Sequence, residues 1–253
     1  MDIRTVIVSA LVAVAAGMVG CLAVMRRMTL AADAFSHVAL PGIGLALLLK
    51  LNPLIGALAA LLAGSVLIWA VEGRTRLSTE SITGVVFSVA LAIGALTATD
   101  KELIDALFGA PGTMSMGGTI FGLAAAIVVA GFVLRMRDRL LISLVSREVA
   151  IASGIDVNRL EVSFLIAFAV TVALGMRYLG VLLMGSLIII PATVAKRLAR
   201  GIDEMFAISI TVALLSTLGG NALSAWAHRP SGPLIVTIAG ALFFFSLIRS
   251  RAT

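Results

Sequence analysis

Residues 5–25 have the sequence TVIVSALVAVAAGMVGCLAVM, an apolar run without a single charged side chain. A helix needs about 20 such residues to cross the hydrocarbon core of a bilayer. The run follows Met1-Asp2-Ile3-Arg4 and contains no small-residue cleavage site, so we interpret it as a retained first membrane span and not as a signal peptide.

The remainder of the 253 residues has the same character. The chain is 60% hydrophobic and only 13% charged, whereas a soluble domain carries roughly 25% charged residues. Eight further apolar segments follow, at about residues 38–51, 53–71, 82–98, 119–136, 161–177, 179–195, 205–225 and 233–249. The sequence therefore predicts an all-α integral membrane protein, with residues 1–253 forming one transmembrane domain of eight or nine spans. The count is eight if the short segment 38–51, which ends in the turn signal Lys50-Leu51-Asn52-Pro53, is re-entrant or broken.

The basic residues predict the orientation. Nine spans with the N-terminus outside and the C-terminus inside agree with the excess of Lys and Arg that inside loops carry. The inside loops would hold 14 of the 19 basic residues, namely Arg26, Arg27, Arg74, Arg76, Arg135, Arg137, Arg139, Arg147, Arg159, Lys196, Arg197, Arg200, Arg249 and Arg251. The outside loops would hold Arg4, Lys50, Lys101, Arg177 and Arg229.

Several functional classes are disfavoured. The Lys and Arg residues between the apolar segments account for the net charge of +6 through membrane orientation, so we expect no nucleic-acid partner. The sequence has no G-x-x-x-x-G-K-[ST] phosphate loop, no H-E-x-x-H and no G-x-S-x-G motif. We therefore expect no enzymatic activity in this chain, and any ATP hydrolysis must come from a partner. Cys21 is the only cysteine, which excludes an intrachain disulfide.

The pair Asp33 and His37 is the strongest candidate site. Their spacing places both side chains on one face of a helix, and ionisable residues near membrane depth are usually functional. Carboxylate and imidazole suit zinc, manganese and iron. The alternative is that Asp33 caps a helix and His37 is a hydrogen-bonded core residue. Because zinc takes about four ligands, either a two-fold homodimer supplies a second pair, or Ser36, a backbone carbonyl or water completes the shell.

Two outer features have weaker functional interpretations. The predicted outer loop 99–118 contains Asp100, Glu102 and Asp105, which would attract cations, although such residues are often solvated caps. His228 lies in the last outer loop and could help to capture metal, although its position is also typical of a solvated surface residue.

The longest inside connection, residues 137–160, is predicted to be a short cytoplasmic helix between two spans. It contains Arg147 and Glu148, with Gly154 as a helix stop. A charged helix of this kind could dock an external ATPase, or it could be a solvated connector.

Several motifs, in order along nearly the whole chain, are similar to the zinc/manganese/iron ABC importer permeases, the ABC-3 family. Residues 32–42, ADAFSHVALPG, resemble that family's GDALSHAxLPG segment, with Ala32 where glycine is usual. Ser88 lies near the place where some zinc members have a histidine, which favours manganese or leaves zinc with fewer nitrogen ligands. The other matching stretches are 25–28, 84–88, 107–109, 150–155, 178–183, 188–193, 196–197 and 230–233.

This resemblance implies a type II-like importer permease in the cytoplasmic membrane of a prokaryote. It implies a homodimer surrounded by membrane lipid, two cytoplasmic ATP-binding cassette subunits and an extracytoplasmic metal-binding protein. The transported ion would be Zn²⁺ or Mn²⁺, or else Fe²⁺, with no permanently bound cofactor. Asp33 and His37 would form the intramembrane metal site, and residues 150–155 would contact the ATPase.

Two other functional classes stay open. A proton-coupled secondary transporter could use the same Asp33 and His37 pair without an ATPase. The third class is a membrane enzyme or a structural scaffold. The sequence lacks catalytic motifs for an enzyme, and a scaffold would give no reason for Asp33 and His37.

Overall fold

A computed structural model describes residues 3–75, 77–97 and 116–248 of the chain, and every regular element in these ranges is an α-helix. The helices are α1 (Ile3–Met25), α2 (Thr29–Leu48), α3 (Pro53–Glu72), α4 (Thr79–Thr97), α5 (Met116–Val145), α6 (Arg147–Ala152), α7 (Val157–Leu179), α8 (Val181–Leu198), α9 (Ile202–Ala227) and α10 (Ser231–Ile248).

The predicted apolar segments coincide with nine of these helices, and the tenth is the short α6. Among the helices of the described ranges, six are long and apolar enough to cross a membrane: α1, α3, α5, α7, α9 and α10. The prediction of a helical integral membrane protein is thereby confirmed. The count of eight or nine spans and the orientation stay predictions.

Helix α1 runs through the middle of the bundle and contacts α5, α7, α8 and α9. Nearly every residue from Val8 to Val24 is buried, so neighbouring helices cover it on all sides. Side-chain hydroxyl and amide groups join it to α9: Ser209 Oγ donates to the Gly17 carbonyl at 2.8 Å, and Asn221 Nδ2 donates to Ser9 Oγ at 3.0 Å. Short polar residues of this kind connect helices where lipid offers no hydrophobic driving force between them.

Helix α2 packs against α3, α4 and α8 at the edge of this bundle. Gly42 and Gly56 lie face to face where α2 crosses α3. A Cβ atom on either glycine would collide with the carbonyl oxygen of the other. The two backbones can approach this closely because neither residue has a side chain, which fixes the position of α2.

The turns on either side of α2 follow from local backbone chemistry. Arg27 (φ 58°) ends α1 and Lys50 (φ 55°) follows the C-terminus of α2, both in the left-handed conformation. Asn52 then caps α3 by accepting a hydrogen bond from the Leu54 N–H at 3.0 Å, and Pro53 occupies the first helical position. The turn predicted at residues 50–53 is confirmed.

The connection at residues 137–160 differs from the prediction in one respect. Its first part, up to Val145, continues α5, and only Arg147–Ala152 forms the separate short helix. Charged residues end an apolar segment but do not end a helix, because straight-chain charged residues have good helix propensity.

Candidate functional site

Asp33 and His37 lie in the second and third turns of one continuous helix, α2. The helix begins at Thr29, and Met28 is its N-cap residue without a side-chain hydrogen bond. The interpretation of Asp33 as a helix cap is therefore wrong. The four-residue spacing places its carboxylate and the His37 ring on one face.

His37 is half-buried and lies against α4. Its ring meets that of Phe87 edge to face, with 5.4 Å between centroids and 67° between planes. Its Nδ1 atom is buried and has no hydrogen-bond partner within the described part of the chain. Because an unsatisfied buried polar atom costs about 1–3 kcal/mol, this nitrogen requires a ligand or a water.

Asp33 lies on the exposed side of α2, where α8 passes close to it. A Cβ built on Gly185 would lie 2.5 Å from Asp33 Oδ1 and 3.0 Å from Asp33 Cα. The absence of a side chain at Gly185 therefore leaves the space that the carboxylate occupies.

The backbone of α2 provides a further oxygen. Pro41 lies inside the helix and has no N–H to donate to the carbonyl of His37, four residues earlier. That carbonyl therefore lacks its usual helical partner at the same turn as the imidazole.

One chain offers two ionisable side chains here. Across residues 3–75, 77–97 and 116–248, no three His, Cys, Asp or Glu side chains form a group that could hold a metal ion. Ser88, near the expected place of a fourth-segment histidine, is exposed and its Oγ donates to the Gly84 carbonyl at 2.9 Å.

The other predicted site residues do not join this pair. Asp100, Glu102 and Asp105 lie outside the described residues. His228 follows α9 in the left-handed conformation (φ 53°), exposed, with Nδ1 3.1 Å from the Ala225 carbonyl oxygen. The structure accounts for His228 as a helix end, and its role in metal capture stays a prediction.

The predicted coupling residues lie together at α6. Arg147 pairs with Glu161 of α7, with 3.0 Å between Nη1 and Oε1, and Glu148 is exposed. Gly154 (φ 75°) follows the helix, where the Gly154 N–H donates to the Ile151 carbonyl and the Ile155 N–H to the Ala150 carbonyl. This is a Schellman motif, so Gly154 stops the helix as predicted.

Phe87 and Gly185 are site residues that sequence reasoning did not identify. Their contacts with His37 and Asp33 cross between helices far apart in the chain, so no local spacing reveals them. A small residue in the apolar run of α8 is a signal of close helix packing, although it does not identify the partner helix.

Comparisons with known proteins agree with one another. Residues 2–250 match the family described as the ABC 3 transport family. The chain is 31% identical to the high-affinity zinc uptake system membrane protein ZnuB of Haemophilus influenzae over 236 residues, 91% of this chain and 90% of the relative. It is 25% identical to the manganese transport system membrane protein MntC of Listeria monocytogenes over 249 residues, 97% of this chain and 89% of that protein.

A solved structure has the same fold. One chain of PsaBC from Streptococcus pneumoniae, in complex with Fab, superposes with a TM-score of 0.84 at 24% identity. The match covers 96% of this chain and 90% of that chain.

Proposed function

The chain belongs to the ABC 3 transport family, and from that premise we propose that it is the permease subunit of an ATP-driven importer for divalent transition-metal ions. Zinc and manganese are the principal candidates, because relatives are membrane proteins of zinc and manganese transport systems. Iron is the third, since the same ligand types accept it.

The buried Nδ1 of His37, which has no hydrogen-bond partner among the described residues, is the observation that carries this proposal. It lies one helical turn from the Asp33 carboxylate, so one face of α2 presents a nitrogen and an oxygen ligand. Imidazole and carboxylate together suit divalent first-row metals.

A second copy of the chain would complete the ligand shell. A carboxylate exposed at membrane depth is costly unless protein or water covers it, and Asp33 is exposed in the single chain. If α2 lies near a two-fold axis, the same face meets its own copy and two pairs supply four ligands. We therefore place one shared site between two protomers.

The energy would come from separate subunits. Because the sequence has no phosphate loop, two cytoplasmic ATP-binding cassette subunits would hydrolyse ATP. They would dock on α6, with Arg147, Glu148 and Gly154 at the contact. An extracytoplasmic binding protein would deliver the ion to the outer loop that contains Asp100, Glu102 and Asp105, and the assembly would lie in the inner membrane of a prokaryote.

Metal uptake by Asp33→Asn and His37→Ala variants tests the site. We expect each to lower uptake of ⁶⁵Zn or ⁵⁴Mn at least about ten-fold, because each removes a direct ligand. Glu80→Gln is the matched control, since it neutralises an exposed carboxylate at the start of α4 that lies outside the proposed site, and it should retain uptake. Uptake at the wild-type level in both site variants, with the ATPase subunits still bound, would contradict the assignment.

The energy source separates this function from a proton-coupled transporter that uses the same pair. Depletion of ATP should stop uptake by the wild-type assembly, whereas collapse of the proton gradient at constant ATP should not. The opposite pattern, with no ATPase subunit in the purified complex, would support the proton-coupled alternative.

A further inference from the structure

A cavity of about 160 Å³ lies where the α1–α2 turn meets the ends of α3 and α5 and the start of α7. Both acidic and basic side chains line it: Arg26 from the turn, Glu72 from α3 and Glu161 from α7. Neither the metal pair nor the proposed docking of an ATPase uses these three groups. They lie between α6 and the beginning of α2.

Arg26 is partly buried, and one of its buried donors lacks a partner among the described residues. Its guanidinium carbon lies 4.6 Å from the centroid of the Phe164 ring, a cation–π contact. Its Nε atom is buried without a hydrogen-bond partner among the described residues. Burial lowers the pKa of Arg26, and the negative charges of Glu161 and Glu72 partly oppose that effect.

Glu161 has a cation on each side. Its Oε1 atom is 3.0 Å from Nη1 of Arg147, the first residue of α6, whose Nη2 donates to Asn158 Oδ1 at 2.7 Å. Across the cavity, the same carboxylate attracts Arg26. A displacement of α6 that breaks the first ion pair would leave Arg26, which lines the same cavity, as a cationic partner for Glu161.

We propose that Glu161 exchanges between Arg147 and Arg26, and that this exchange makes Glu161 a positioning residue that links α6 to the helix bearing Asp33 and His37. The inference rests on the proposed function and concerns how ATPase docking reaches the metal site. When α6 moves, Arg26 moves into the cavity toward Glu161. Arg26 precedes the first residue of α2 by three positions, so its movement displaces the start of that helix.

Two properties of the structure support a two-position element. The cavity provides room for the guanidinium of Arg26 to move, which a densely packed interior would not. The Arg147–Glu161 pair is exposed, with 54% of the Arg147 side chain and 29% of the Glu161 side chain accessible to solvent. Because an exposed ion pair contributes only about 0–1 kcal/mol, a small displacement of α6 is enough to exchange it for a pairing with Arg26. A carboxylate with two discrete pairings can couple two sites, because a change at α6 or at the metal site can favour one pairing over the other.

Glu161→Gln in the full assembly, reconstituted in proteoliposomes with its ATPase subunits, is the primary test. We expect ATP hydrolysis to continue while the number of metal ions imported per ATP falls at least about five-fold. Arg159→Gln is the matched control, since it breaks the exposed Arg159–Asp156 ion pair (3.0 Å) at the start of the same helix without reaching the cavity. Its import ratio should equal that of the wild type.

Arg26→Met gives an independent test if Glu161→Gln is poorly folded. This variant keeps the Arg147–Glu161 pair. It loses the cation–π contact with Phe164 but also removes a Nε atom that has no partner among the described residues, so thermal stability should change little. The import ratio should still fall at least about five-fold. A ratio unchanged in Arg26→Met would overturn the proposal.

The exchanged variant Arg147→Glu with Glu161→Arg separates exchange from a purely structural role. It restores an ion pair between α6 and α7 but places a cation opposite Arg26. We expect stability and ATP hydrolysis, which reports ATPase docking at Arg147, to match the wild type while the import ratio stays low. Recovery of the import ratio as well would show that the ion pair only holds α6 in place. If the wild-type assembly itself imports no metal, the proposed function fails, and that result is distinct from a failure of the exchange.

Discussion

Gly185 shapes the site because it has no β-carbon. The close approach of α8 to Asp33 leaves no room for a β-carbon, so the carboxylate occupies the space where a side chain would be. A change at Gly185 therefore acts on the orientation of Asp33 without changing any ligand.

Gly185→Ala should lower metal uptake about ten-fold, because a new methyl group 2.5 Å from Oδ1 must displace the carboxylate. The fold should persist, since alanine favours a helix over glycine by about 1 kcal/mol. Uptake and thermal unfolding of the same preparation measure the two effects. Gly131→Ala on α5, where a Cβ meets nothing within 4 Å, is the control and should keep full uptake. Full uptake in Gly185→Ala would show that Asp33 does not need this position.

The sequence could predict the ligand pair of this site but not its surroundings. Asp33 and His37 are four residues apart, so helix geometry alone places them together. Phe87, Gly185 and Glu161 act on partners in other helices, and only tertiary packing determines which helices meet. The same limit applies to the Nδ1 atom of His37: that it has no partner in residues 3–75, 77–97 and 116–248 depends on the neighbours that tertiary packing places around it.

Helix ends in this protein use the left-handed conformation at residues other than glycine. Lys50 shows it clearly: its N–H donates to the Leu47 carbonyl, and the Leu51 N–H donates to the Ala46 carbonyl. This is a Schellman motif with lysine at the position that glycine prefers. The strain of an L-residue in this conformation is about 1–2 kcal/mol.

Lys50→Gly should raise the free energy of unfolding by about 1 kcal/mol, because glycine adopts the left-handed conformation without that strain. Thermal unfolding in detergent measures the change as a higher midpoint. Lys50→Ala is the matched control, since it removes the same charge but keeps a β-carbon, and it should not be stabilised. Equal midpoints for the two variants would contradict the assignment of strain.

The limits of α2 and α5 show how apolar runs misplace helix ends. Segment 38–51 was predicted as short, with Asp33 and His37 before it, but α2 begins at Thr29 and contains both. The two polar side chains lower local hydropathy without weakening backbone hydrogen bonds. At α5 the charged residues after Leu134 had the same effect, and the helix continues to Val145. Hydropathy thus locates a helix but not its ends.

The distribution of charge over the whole molecule predicts its orientation. Basic residues gather at the end of the bundle that carries α6, and one of them has a structural role there. Arg197 donates from Nε to the Ser246 carbonyl at 3.2 Å and from Nη2 to the Leu247 carbonyl at 3.3 Å, at the C-terminus of α10. A cation at a helix C-terminus is favourable, and an excess of cations marks the inner side.

Cysteine labelling in a Cys21→Ala background tests this orientation. A membrane-impermeant maleimide should label Leu51→Cys, in the exposed α2–α3 turn, in intact cells. It should label Val149→Cys, on the exposed side of α6, only in inverted vesicles. The reverse pattern would mean that the N-terminus is inside. Labelling of both cysteines from one side would mean that an even number of spans separates them.

The central position of α1 has a consequence for biosynthesis. This helix is made well before α9, which supplies the partners of Gly17 and Ser9. At about 5–20 residues per second, the chain between Met25 and Ile202 takes roughly 9–35 s to synthesise. During that interval lipid or the insertion machinery must cover the surface of α1 that α9 later covers. The packing around α1 is therefore completed only after α9 has been made.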